Sequence, residues 1–309
     1  MLHGINLGII TSSMTFTEND TYLVGGNDKS VGVWRVADGK QVATMPVQGS
    51  VTCVAASRDG RWIAAGSYQG DVVVWDAATY KQVFGNKIES ATINDVDFSP
   101  DSTRLVSADG VANTATILDI ATRRKAHTLH HGSAVSVSAA KYSPRGNQIA
   151  TATKGFVRVW DSNDGQLLAD IDVQVQLRCS LLWREFHLFV LTEGNEIKQI
   201  NVATGSTVSE WPVPTARWPC IALPQQGKFV VCSAEKAIIF WDTATRSQLG
   251  LIPHTHYISS FAFSSDDSLL AIAPIWSDVI VKDLSSIIFP SVSVCFAPCL
   301  QSIFISSAF

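Results

Sequence analysis

The chain has 309 residues, of which 46% are hydrophobic and 16% charged, and its formal net charge is −4. Soluble domains carry about 25% charged residues, so this balance, rich in Val, Ser, Thr, Ala and Ile, suits half-buried strands better than solvated helices. The longest basic run, Arg123-Arg124-Lys125, is too short for the electrostatic footprint of a nucleic-acid binder.

Length alone would suggest about two domains, but a repeat overrides that count. Trp34-Arg35, Trp75-Asp76, Leu118-Asp119, Trp160-Asp161, Ile200-Asn201, Trp241-Asp242 and Lys282-Asp283 recur at intervals of 41, 43, 42, 40, 41 and 41 residues. A period of about 40–45 residues closing on Trp-Asp marks a four-stranded blade that buries its apolar faces only against its neighbours. The expected fold class is all-β, a seven-bladed β-propeller with four antiparallel strands per blade over residues 1–283, the last blade left incomplete because the seventh repeat shows three strands and no recognisable fourth.

In chain order, residues 1–10 carry no charged n-region, so no secretory signal is expected, and residues 1–7 are barely long enough to supply a strand. Val24-Gly25-Gly26-Asn27-Asp28 has glycines but lacks a P-loop lysine and a following helix, which predicts strand and turn. The second repeat is the clearest. It predicts an inner strand at 51–56, a turn in which Gly60 tolerates positive φ, a returning strand at 62–66, a third strand at 71–75 and an outer strand at 81–84. The same order recurs around 97–107, 141–151 and 261–272. Inner strands at 51–55, 135–139, 220–223 and 258–262 carry almost no ionisable group, so the central channel is poor ground for catalysis.

Cys53, Cys179 and Cys220 fall at similar places in separate repeats, which predicts reduced core fillers rather than disulfides and a cytoplasmic setting, with the nucleus left open. His127, His130 and His131, and the pair His254 and His256, lack the companions of a tetrahedral metal site. No Gly-x-Ser-x-Gly elbow occurs. The expectation is a protein with no enzymatic activity, no metal and no cofactor.

Phe98-Ser99-Pro100-Asp101, Val74-Trp75-Asp76 and the turn from Trp241 to Thr245 resemble the phrases of the WD-repeat family of β-propellers, and the resemblance covers about residues 3–283. It implies a ring that holds other proteins or peptides, working as a monomer within a larger complex. Such repeats resemble those found in fungi, both as free propellers and as sensor ends of larger signalling proteins, which gives the alternative of a ligand-sensing module.

The family's buried polar network joins the strand-ending Trp to a Ser or Thr, a His and an Asp six residues earlier. Here Trp34, Trp75, Trp160 and Trp241 keep the Trp, Asp28 alone keeps the Asp, and His131 and His254 are the best candidates for the His. Gln69, Ala112, Lys154, Gly194, Glu235 and Trp276 stand at the other Asp positions. Blades without the network should lean on apolar packing and backbone ladders, giving a ring less rigid than a consensus one.

The resemblance also implies that the narrower loop face meets partners, and the candidate binding residues there are Tyr68, Arg217, Trp218, Tyr257 and Trp276, since Trp, Tyr and Arg concentrate binding energy at interfaces. Trp211 is weighed between that face and local packing. No Arg follows the Trp-Asp pairs as in ubiquitin-ligase receptors, and no phosphoinositide motif is present. Neither nucleic acid nor membrane is an expected partner.

Residues 284–309 carry no charge and abandon the repeat. They fit three readings: a closing outer strand from 291–296 or 302–306, a membrane anchor opposed by Pro290, Pro298 and many serines, or a non-native frame or splice product or truncation. The last is the expectation, with strand completion second.

Overall fold

All seven repeat positions turn out to be third-strand ends. Strands Ser30–Arg35, Asp71–Asp76, Thr114–Asp119, Phe156–Asp161, Glu196–Asn201, Ala237–Asp242 and Val279–Asp283 each stop on the second residue of a predicted pair. In this computed structural model the described residues are 4–5, 13–87, 92–132, 136–175, 181–214, 220–235, 237–275 and 277–286.

The chemistry of the turn explains why Asp follows the repeat position. Asp76 Oδ1 accepts the Thr79 backbone N–H at 2.8 Å and its hydroxyl at 2.7 Å. Asp119, Asp161, Asn201, Asp242 and Asp283 make the same kind of Asx turn with Thr122, Asn163, Thr204, Thr245 and Ser285. Those bonds hold the carboxyls of Asp76, Asp119 and Asp283 below the ordinary aspartate range. Arg35 breaks the rule in blade 1, where its guanidinium instead meets Asp38 at 2.8 Å.

Seven four-stranded antiparallel sheets follow, six of them built from consecutive strands. Blade 7 takes three strands from the end of the repeat region, and its outer strand is Gly4–Ile5, with Gly4 opposite Ile280 and Ile5 opposite Val279. The last repeat is therefore completed by the segment that looked barely long enough. A second tie closes the same seam: the Asp20 carboxylate of blade 1 accepts the Ser265 backbone N–H at 2.8 Å and its hydroxyl at 2.7 Å. Residues 287–309, with both proposed tail strands, lie outside the described residues.

The core is divided as the blades are. Seven apolar clusters lie one at each blade-to-blade interface. In six blades the repeat side chain faces the preceding blade: Trp34 packs on blade 7, Trp75 on blade 1, Leu118 on blade 2, Trp160 on blade 3, Ile200 on blade 4 and Trp241 on blade 5. Phe240 and Trp211 are buried among these clusters, so Trp211 packs locally. Burying one such side chain is worth about 1.5–3 kcal/mol, and repetition around the ring makes this the dominant favourable term.

Polar ties between blades supplement that packing. Arg104 Nη1 donates to the Ser162 carbonyl at 2.9 Å across blades 3 and 4, and Arg184 Nη1 donates to the Pro224 carbonyl at 2.8 Å across blades 5 and 6. Thr52 of blade 2 donates to the Ile93 carbonyl of blade 3. These bonds lie outside the family network and sit where the sequence offered no motif to find them.

Candidate functional site

The family network survives best in blade 4. Trp160 Nε1 donates to Thr151 Oγ1 at 2.7 Å, and the His131 ring meets the Trp160 ring edge-on with centroids 5.2 Å apart. His131 is 3% exposed, and among the described residues neither ring nitrogen has a hydrogen-bond partner. Burial depresses its pKa to about 4, so it is neutral at physiological pH. Strand register places Gly25, Ala65 and Cys232 where Thr151 stands. Neither Gly25 nor Ala65 offers Trp34 or Trp75 a hydroxyl from that position, and Trp241 Nε1, without a hydrogen-bond partner among the described residues, has the weak Cys232 sulfur beside it.

Asp28 is exposed and accepts the Ser50 hydroxyl at 2.6 Å. His254 sits beside His256, its Nδ1 accepting the His256 backbone N–H at 3.1 Å, and Lys282 replaces the Trp it would have served.

The channel corrects the sequence reading. The inner strand of blade 4 is Ala139–Tyr142, not 135–139, and blade 3 contributes Ile93–Phe98. Their registers bring Asp95, Asp97 and Lys141 to a cavity of about 280 Å³ at the centre of the ring. Lys141 Nζ lies 2.9 Å from Asp95, and the two neighbouring carboxylates push the Lys141 pKa up against the opposing effect of burial. Ionisable groups therefore do line the channel. Cys53, Cys220 and Cys232 are free thiols in the core, each pushed up to about 12 by burial, which leaves them inert as nucleophiles.

On the loop face, Tyr68 lies between the second and third strands of blade 2. Its backbone is clamped from both sides: the N–H donates to the Ser50 carbonyl at 2.8 Å, and the Thr92 hydroxyl donates to its carbonyl at 3.2 Å. The residue is 60% exposed. Ser50 also donates to Asp28, which connects the tyrosine loop to blade 1.

Tyr257 stands in the loop entering blade 7, its carbonyl accepting the Ile275 N–H at 2.7 Å and its hydroxyl 3.5 Å from Glu235. Lys154 and Glu193 pair at 3.7 Å between blades 4 and 5. Arg217, Trp218 and Trp276 lie outside the described residues.

One contributor was missed. Val111, on the neighbouring loop of blade 3, is 57% exposed on a turn that Asp109 fixes by accepting the N–H groups of Val111 and Ala112 at 2.8 and 2.7 Å. An apolar residue directly after Gly110 at a loop tip was its signal.

Among the described residues no group of three His, Cys, Asp or Glu could hold a metal, and no helix is long and apolar enough to cross a membrane. The arrangement suits binding: an aromatic and an aliphatic side chain project from loops whose backbones are already fixed, which lowers the ordering cost of association.

A family model for the Nucleolar protein 10-like, N-terminal domain β-propeller matches residues 3–186. Human Pre-mRNA-processing factor 17 is 25% identical over half of the chain and 28% of its own length. Human Angio-associated migratory cell protein is 28% identical over 48% of the chain and 38% of its own. The WD repeat-containing protein srw1 of Schizosaccharomyces pombe is 25% identical over 74% of the chain and 43% of its own. The matched regions span less than half the length of these relatives.

Proposed function

Because this chain belongs to the Nucleolar protein 10-like, N-terminal domain family of WD-repeat β-propellers, we propose that it is a non-catalytic platform that holds other proteins or peptides on its loop face. The observation that carries the reading is Tyr68: a large side chain left 60% exposed on a backbone bonded to the loops on both sides. Exposed aromatics on preorganised loops act as interface anchors. Tyr257 and Val111 on the same face, with Arg217, Trp218 and Trp276 assigned there from sequence, would complete the surface.

The alternative is a ligand-sensing module of a larger signalling protein, in keeping with matched segments that cover 28%, 38% and 43% of these relatives' own lengths. The protein would work in the cytoplasm or the nucleus, and the nucleolar family and the pre-mRNA-processing relative favour the nucleus.

Alanine substitution of Tyr68, Arg217, Trp218 and Tyr257, with charge reversal at Arg217, tests the platform by affinity capture from cells, with folding verified by circular dichroism. Retention of every specific partner by all variants would end it.

A further inference from the structure

The geometry points to a cation-binding site in the central channel, with the Asp97 carboxylate as counter-ion for one guanidinium or ammonium group. The cavity is lined by all seven inner strands, among them the polar residues Ser13, Thr15 and Ser260. Within it, Asp95 already has its cation in Lys141, 2.9 Å away. Asp97 does not: its hydrogen bond is to the Tyr142 backbone N–H, 2.8 Å from Oδ2, and among the described residues no side-chain cation reaches it at ion-pair distance.

Structural need does not account for this second charge. The channel edge of each inner strand has no further strand beside it, and side chains of the preceding blade accept some of its backbone N–H groups. Ser13 does so for Val54 at 3.3 Å, Asp95 for Ala140 at 3.2 Å and Asp97 for Tyr142. The Ser13 case shows that a neutral hydroxyl suffices. Strand register puts Thr15, Ala55, Leu182, Ala222 and Ala262 at the level of Asp97 in five other blades, so the carboxylate is peculiar to blade 3 and only Lys141 faces it from that ring of positions.

Asp95, Asp97 and Lys141 sum to one negative unit in a partly desolvated space, and the exposed Arg58 adds a weaker attraction from the turn that follows the inner strand of blade 2. Burial raises the Asp97 pKa to about 6, partly offset by Lys141, which is the signature of an anion short of compensation. A planar guanidinium can meet a carboxylate with two parallel bonds and suits a cavity of this size. Such a group could arrive as a free amine or as the basic side chain of a bound polypeptide.

Calorimetric titration of the full chain at pH 7.5 with methylguanidinium, and with its neutral counterpart methylurea, tests the site. Saturable binding of methylguanidinium is expected, on the order of tenfold tighter than methylurea and weaker at pH 5, where Asp97 is protonated. Asp97→Asn keeps an oxygen acceptor for the Tyr142 N–H and should remain folded, with the cation preference gone. Gly-Arg-Gly against Gly-citrulline-Gly separates the sources: binding of the arginine peptide supports a polypeptide side chain, and binding of methylguanidinium alone supports a free small cation. Equal or absent binding of methylguanidinium and methylurea, or a folded Asp97→Asn protein with unchanged preference, overturns the assignment.

Discussion

Trp160 and Thr151 are joined by a 2.7 Å hydrogen bond inside blade 4, and register puts Cys232 in the place of Thr151 beneath Trp241 in blade 6. The two blades form a natural experiment in one chain. Thr151→Val keeps the shape and strands a buried indole N–H, so a loss of about 1–3 kcal/mol is expected. Cys232→Thr supplies Trp241 with a hydroxyl and should gain about 0.5–1.5 kcal/mol. Urea midpoints with unchanged slopes would report both.

His131 makes blade 4 sensitive to acid. Its folded pKa of about 4 lies below the unfolded value near 6.5. Above pH 6.5 both states are neutral and nothing is lost. As pH falls from 6.5 towards 4 the unfolded chain takes up the proton first, so stability declines, by at most about 3 kcal/mol, and the effect saturates below 4. Asp97 runs the other way, because a raised carboxyl favours the folded state at low pH and that contribution is lost as pH rises from 3.8 through 6. His131→Leu should therefore flatten the decline between pH 6.5 and 4 relative to wild type, as measured by denaturant midpoints across pH.

The seam between blades 7 and 1 rests on Gly4–Ile5 and on Asp20. Asp20 has a φ of 53°, a left-handed conformation that Asn also tolerates. Asp20→Asn removes the charge and half the acceptor capacity with little backbone strain, and about 1 kcal/mol of stability should go with them. Removal of residues 1–5 uncovers the edge of Val279–Asp283, and an exposed strand edge invites association. Light scattering should show that truncated protein aggregating at temperatures where the full chain does not.

Gly32 is fixed by packing. A Cβ there would fall 1.9 Å from the Trp34 ring, which lies across its own strand because Gly25 opposite provides no side chain. Gly32→Ala must move Trp34 out of the interface of blades 1 and 7, and overpacking of this kind costs about 1–3 kcal/mol. Thermal melting with Trp fluorescence would show both the loss and the displaced ring.

The repeat made the fold legible because one turn chemistry, Asp or Asn bonding its own following residues, recurs at a fixed period and ends the third strand in six of the seven blades. Gly4–Ile5 was hard to see because two residues carry no alternation. The channel charges were missed for a register reason: placing the blade 4 inner strand at 135–139 instead of Ala139–Tyr142 hid Lys141, and Asp95 and Asp97 alternate with apolar residues as any half-buried strand does. On the loop face Tyr68 was visible as an aromatic at a loop tip. What its sequence could not show was the pair of backbone bonds from the loops on either side that holds it outward.

Binding through the loop face is decided by comparing Tyr68→Ala and Tyr257→Ala with Arg145→Ala and Phe186→Ala. The last pair forms an exposed cation–π contact at 5.3 Å on the turns at the opposite face. Quantitative affinity capture of the four folded variants should show specific partners lost, by about tenfold or more for an anchor residue, from the two tyrosine variants alone. Partners retained by the tyrosine variants and lost from Arg145→Ala or Phe186→Ala would contradict it.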